Sequence, residues 1–124
     1  MMALSAHVRV LVCVAAIDFR KGIDGLARVC REVLSTDPFS GTVFVFRNRR
    51  GTAIKLLAYD GQGFWLCQKR LSESRFRYWP GEAGSAQREL LAHQHQVLLA
   101  GGDAEATSGA PTWRRLGAEA STPA

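Results

Sequence analysis

The sequence predicts an α+β fold: an N-terminal strand and helix packed on an antiparallel meander of three or four strands, with a C-terminal helix candidate behind them. Three observations carry this. A short apolar alternation near the N-terminus leads into a stripe of apolar residues at helical spacing. Three strand-like runs follow, joined by tight-turn signals. The chain has 124 residues, 47% of them apolar, which suits one compact domain and is too short for a barrel of about 250 residues or a two-domain cofactor enzyme.

Val8, Val10 and Val12 alternate with Arg9, Leu11 and Cys13, so Val8–Val14 reads as a strand with a mostly apolar reverse side. Asp18 is placed to cap a helix running to about Leu34, or the helix starts later, near Gly22. Ile23, Leu26, Cys30, Val33 and Leu34 form its buried stripe. Pro38 stops it, and Ser40-Gly41 adds a turn. Thr42–Arg47 is apolar on both faces, as in an interior strand. Asn48–Gly51 turns into Ala53–Tyr59, which presents Ile54, Leu56 and Ala58 on one face and Lys55, Leu57 and Tyr59 on the other. Asp60-Gly61 is a hairpin dipeptide, and Phe64–Leu71 is the returning strand. Arg75–Trp79 reads as a short edge strand ended by Pro80, and Ala86–Ala100 as a second helix. Val10, Val12, Ile23, Leu26, Cys30, Val33, Phe44, Phe46, Leu56 and Leu66 are expected to share one core. Residues 1–7 are expected to be unstructured, 8–100 to form the domain, and 101–124, a Gly-, Ala-, Ser-, Thr- and Pro-rich stretch with Trp113, to be disordered.

Charge is divided unevenly. Val8–Pro80 carries 13 basic and 6 acidic residues, whereas Gly81–Ala124 carries 3 and 5. A basic domain favours polyanionic partners. Cys13, Cys30 and Cys67 are odd in number and widely spaced, giving neither a disulfide framework nor metal-ligand spacing. The apolar run Val10–Ile17 is far below the roughly 20 residues that span a bilayer, and no Lys or Arg precedes Arg9 as a signal peptide would require. A cytoplasmic protein without a membrane partner is the expectation.

The main chemical signal is a set of cations interleaved with aromatic residues. Arg47, Arg49, Arg50, Lys55, Lys69, Arg70, Arg75 and Arg77 lie among Phe44, Phe46, Tyr59, Phe64, Trp65, Phe76, Tyr78 and Trp79. In a meander, Lys55 and Lys69 are expected on one sheet face, with Arg49 and Arg50 at the neighbouring hairpin tip. Such a patch contacts phosphates through guanidinium forks and stacks bases on exposed rings. A solvated sheet face or a protein-contact surface has the same alternation, so both readings stay open. A small metal-dependent nuclease would need two or three carboxylates around Mg²⁺, but no pair falls in a metal motif and the acids have plainer roles: Asp18 as a cap, Asp37 and Asp60 in turns, Glu32 and Glu73 on the surface. His93 and His95 are two apart and share no helix face, and RNRRG lacks the glycine spacing and Lys-Ser/Thr of a phosphate loop. No catalytic residue, metal or cofactor is expected.

Four ordered blocks carry a resemblance: IDFRKGIDGL (Ile17–Leu26), DPFSGTVFVFRNRRG (Asp37–Gly51), KLLAYDGQGFWLCQKRL (Lys55–Leu71) and FRYWP (Phe76–Pro80). Together they resemble the small accessory proteins, products of the second open reading frame, of bacterial insertion-sequence family 66. Phe19 stands where that family commonly has Met, Tyr59 where it has Trp, and Ser72-Glu73-Ser74 replaces its usual Glu-x-Gly. His95 and Gly102 interrupt the apolar pattern of its closing helix. The resemblance implies a non-catalytic accessory factor in DNA transposition, working beside the large transposase of the same element and binding that transposase, DNA at the element ends, or both. The family supplies no catalytic or ligand-binding residues to carry over. The candidate nucleic-acid or partner-binding residues are therefore the cations: Arg20 and Lys21 in the first block, with Arg47, Arg49, Arg50, Lys55, Lys69, Arg70, Arg75 and Arg77.

Overall fold

A computed structural model describes residues 8–82 and 84–103. The expected unstructured start at 1–7 and the tail from 104 to 124, with Trp113, lie outside the described residues. The elements are β1 (Val10–Cys13), α1 (Ile23–Glu32), β2 (Val43–Arg47), β3 (Ala53–Tyr59), β4 (Phe64–Arg70), β5 (Gln87–Leu90) and α2 (Ala92–Leu99). The strands form one mixed sheet in the order β4-β3-β2-β1-β5. β1 and β2 are parallel and linked by α1, while β2-β3-β4 is the expected meander.

α1 begins at Gly22, the later of the two expected starts. Asp18 is not its cap: the carboxylate instead accepts the Arg20 backbone N–H at 2.9 Å in a turn before the helix. Leu26, Ala27, Val29, Cys30 and Leu34 are buried, but Val33 is 47% exposed, because the helix ends at Glu32 and the chain turning out of it returns Leu34 rather than Val33 to the core. Ser35 then takes a left-handed conformation, φ +51°, and the Thr36 N–H returns to the Cys30 carbonyl at 2.9 Å.

The expected single core is two half-cores divided by the sheet. Leu11, Cys13, Phe44, Phe46 and Leu57 face α1 and pack with Leu26 and Cys30, Ile23 and Leu66 joining them. Val10, Val12, Val43, Val45, Leu56 and Ala58 face the other way and pack with Leu90 and Leu98. Alternation along each strand necessarily sends neighbouring residues to opposite faces, so β1 and β2 are apolar on both because both faces are covered.

Two C-terminal expectations are corrected. Residues 75–79 form no strand; they cross the sheet end as irregular chain, with Phe76 buried and Tyr78 52% exposed. Residues 87–90, read as the first turn of a helix, are β5, paired antiparallel to β1 from Val10↔Leu90 to Cys13↔Gln87. The open edge of β1 offers backbone partners that outweigh the helix propensity of Gln, Arg, Glu and Leu. Among the described residues no helix is long and apolar enough to cross a membrane.

A candidate nucleic-acid interface at one end of the sheet

β1 and β2 both end on the same side of the sheet, and most of the candidate cations gather there. The β2–β3 turn carries Arg49 and Arg50. Asn48 builds that turn: its Oδ1 accepts the Thr52 and Ala53 N–H groups at 2.9 and 3.2 Å, and its Nδ2 donates to Thr52 Oγ1 at 2.9 Å. Gly51 closes it at φ +70°, a conformation that L side chains rarely adopt. Arg70 ends β4 directly opposite Ala53, and the Leu71 N–H extends the ladder to the Thr52 carbonyl at 2.9 Å. The Phe76 N–H then donates to the Gly51 carbonyl at 2.7 Å. That bond, with the buried Phe76 ring, brings Arg75 and Arg77 alongside the same turn. Arg49, Arg50, Arg70, Arg75 and Arg77 are all exposed, and none has an ion pair among the described residues.

The loop between β1 and α1 completes this end. The Ile17 N–H donates to the Arg47 carbonyl at 2.9 Å, and Arg20 and Lys21 project from the exposed stretch that follows. A cleft of about 410 Å³ lies between this loop and the β2–β3 turn, lined by Ala16, Ile17, Phe19, Arg20, Arg49 and Arg50 among others. The outer side of the carboxyl ends of parallel strands is the usual place for a ligand crevice in α/β sheets. Inside it Arg20 grips Asp18, with Nη2 2.8 Å and Nε 3.1 Å from Oδ2. The Arg20 side chain, then its backbone N–H, pulls the Asp18 carboxyl down to about 2.

Three candidate cations do other work. Lys55 is not on the face of Lys69: it lies opposite Gln68, whereas Lys69 lies opposite Ile54. Lys55 is buried under α1's side of the sheet, where its ammonium donates to the carbonyls of Phe19 and Lys21 at 2.8 and 3.0 Å and sits 4.9 Å from the Phe19 ring centroid. It therefore pins the loop that carries Arg20 and Lys21. Lys69, on the opposite face, donates to the Leu99 carbonyl at 2.7 Å and satisfies the C-terminal end of α2. Arg47 is half-buried; it donates to the Val14 carbonyl at 3.1 Å and lies 5.6 Å from the Trp79 ring centroid, while the Trp79 indole donates to the Cys13 carbonyl at 2.9 Å. Sequence pattern missed these anchoring roles, because a buried Lys in an alternating strand looks like a solvated one until the register is known.

The far end of the sheet has a different chemistry. Phe39, Tyr59 and Phe64 meet with ring centroids 4.9–5.1 Å apart, and Phe39 and Trp65 are more than half exposed. Asp60 fixes the β3–β4 turn by accepting from the Gln62 and Gly63 N–H groups and from the Trp65 indole at 2.7 Å, bonds that hold its carboxyl below the usual range. Burial pushes the Cys13 thiol up and the Cys30 thiol to about 12, so both stay protonated near neutral pH. His95, read as an interruption of the last helix, is buried with neither ring nitrogen partnered among the described residues, and burial lowers its pKa. Among the described residues no three His, Cys, Asp or Glu side chains converge as metal ligands.

Comparison with known proteins bears on this arrangement. The model of the family described as IS66 Orf2 like protein matches residues 8–109. An uncharacterized protein of Sinorhizobium fredii, y4hO, is 41% identical over 103 residues, covering 83% of this chain and 88% of its own. A second from the same organism, y4jC, is 31% identical over 103 residues, covering 83% of this chain and 86% of its own. No solved structure matches. The chain belongs to the IS66 Orf2-like family.

Proposed function

We propose that the protein is a non-catalytic accessory factor in transposition of its insertion sequence, and that it contacts DNA phosphates through the arginine-rich end of its sheet. The observation that carries this is the convergence of Arg49, Arg50, Arg70, Arg75 and Arg77, exposed and without ion pairs among the described residues, on one surface built from three separate chain segments. Guanidinium groups bind phosphate by charge and by paired N–H donors. Contacts of this kind position a protein on DNA without reading its sequence. Arg20 and Lys21 flank the surface, and Lys55 and Arg47 hold its loops from behind. The partners are the element's large transposase and DNA at the element ends.

A second reading has its own support: Phe39 and Trp65 at the far end are exposed rings suited to protein contact, as an adaptor for the transposase would need. The deciding experiment measures binding to element-end duplex across a salt series, with and without transposase. Each neutralised duplex phosphate adds about 0.9 to the slope of log K against log salt. Replacing Arg49 and Arg50 together by Ala is expected to weaken binding on every sequence and flatten the slope by up to about two units. Unchanged affinity and slope, with lost co-purification of transposase, favours the adaptor. If both activities survive in a folded variant, the turn has neither role.

A further inference from the structure

The cleft beside this surface is concave, and its contents differ from those of the exposed arginines around it. At about 410 Å³ it falls within the range of roughly 300–1,000 Å³ typical of small-molecule sites. A volume of that class suits one unit of small-molecule size, such as a single nucleotide, and not a whole duplex. The walls are apolar at Ala16, Ile17 and Phe19 and cationic at Arg20, Arg49 and Arg50.

One anion already stands in it. The Asp18 carboxylate accepts the Arg20 fork through Nε at 3.1 and 3.2 Å and Nη2 at 2.8 Å. That pair is exposed, Arg20 at 91% and Asp18 at 47% of the side chain, and exposed ion pairs are weakly held. A competing anion must be stronger than a carboxylate to take the fork. A phosphodiester within a strand carries one negative charge and has no advantage over Asp18. A terminal phosphomonoester carries about −1.5 to −2 near neutral pH and has three acceptor oxygens.

We infer that the cleft is a site for the phosphorylated terminal nucleotide of a DNA strand, in which the phosphomonoester displaces Asp18 from Arg20 and is held by Arg20, Arg49 and Arg50. This rests on the DNA-contact reading above and adds a discrimination that the open surface lacks: chain end against chain interior.

Dinucleotides carrying a 5′-phosphate, a 3′-phosphate or neither, titrated calorimetrically into the full-length protein, test the cleft, and covalently closed circular DNA tests the surface. At least one phosphorylated dinucleotide is expected to bind fivefold or more tightly than the unphosphorylated one. Asp18→Asn keeps a carbonyl for the Arg20 N–H while releasing the fork, and is expected to tighten that binding about threefold or more. Ala16→Trp fills the cleft and is expected to abolish the preference while circular DNA still binds; the thermal melting profile checks that both variants fold. If neither phosphate arm exceeds the unphosphorylated control while circular DNA binds, the inference is overturned and the surface reading stands. If circular DNA fails to bind while a phosphorylated dinucleotide is retained, the cleft survives and the surface reading falls. An Asp18→Asn protein that folds but binds phosphorylated ends no more tightly overturns the displacement of Asp18.

Discussion

The two ends of the sheet are built from similar turns and finish differently. At the end where β1 and β2 terminate, the exposed groups are guanidiniums, and the contacts that fix them lie behind: Asn48 in the turn, Phe76 against Gly51, Lys55 under the loop that carries Arg20 and Lys21. At the other end the exposed groups are rings that fix one another, Phe39 with Tyr59 and Phe64, and one carboxylate, Asp60, organises the turn from its centre. A binding surface made of charge needs its scaffold elsewhere, since mutual repulsion gives the charges no cohesion of their own. An aromatic cluster is its own scaffold.

The sharpest way to break this comparison is to remove the scaffold of the cationic end. Lys55→Met leaves the Phe19 and Lys21 carbonyls without their charged donor and is expected to cost about 3 kcal/mol in urea unfolding. Lys69→Met, which removes one exposed bond on the opposite face, is expected to cost under about 1 kcal/mol. Equal costs would mean that the two lysines are equivalent surface charges after all.

A smaller effect is expected where α1 runs out. Ser35 is held left-handed without glycine's freedom, and Ser35→Gly is expected to stabilise the protein by about 0.5–1 kcal/mol, read from the urea midpoint at unchanged slope. A destabilised variant would mean that the Ser35 side chain contributes more than its backbone strain takes away.

The smallest effect separates the two ends by acid. Asp18 and Asp60 both have folded pKa values below the unfolded one, so each stabilises above its unfolded value, near 4, and loses that contribution as pH falls, for Asp18 towards about 2. Asp18 owes its shift first to a solvated guanidinium, Asp60 first to backbone N–H groups. Added salt is therefore expected to shrink the part of the acid limb that Asp18→Asn removes, and to leave the Asp60→Asn part in place. Identical salt responses in thermal melts would dissolve the distinction.

Much of this was legible in the amino-acid order. The strands β2, β3 and β4 follow from β-branched and aromatic patterning bounded by RNRRG and Asp60-Gly61, and β1 follows from its apolar run, but its parallel pairing with β2 has no local signal. The arginines of the candidate surface were legible as residues but not as a surface. What joins Arg70, Arg75 and Arg77 to Arg49 and Arg50 is the Ala53↔Arg70 register and one Phe76–Gly51 hydrogen bond, neither of which has a local pattern. The same limit explains Lys55 and Lys69, an even step apart in number but on opposite faces because the hairpin pairs Lys55 with Gln68. β5 was hidden for a different reason: its residues favour helix, and only the vacant edge of β1 makes them a strand.

That vacancy gives the order of synthesis a meaning. β1 leaves the ribosome some 75 residues before its partner β5, as the Val10↔Leu90 to Cys13↔Gln87 register requires. A nascent or truncated chain ending before Gln87 presents β1 as an uncovered border, apolar on both faces and open to pairing with another molecule. Among the described residues the two borders are guarded unequally: β4 ends in Gln68, Lys69 and Arg70, charged or polar and exposed, whereas β1 is covered by the short strand β5. Loss of a few residues from that strand is thus expected to promote self-association, without touching any arginine of the proposed interface.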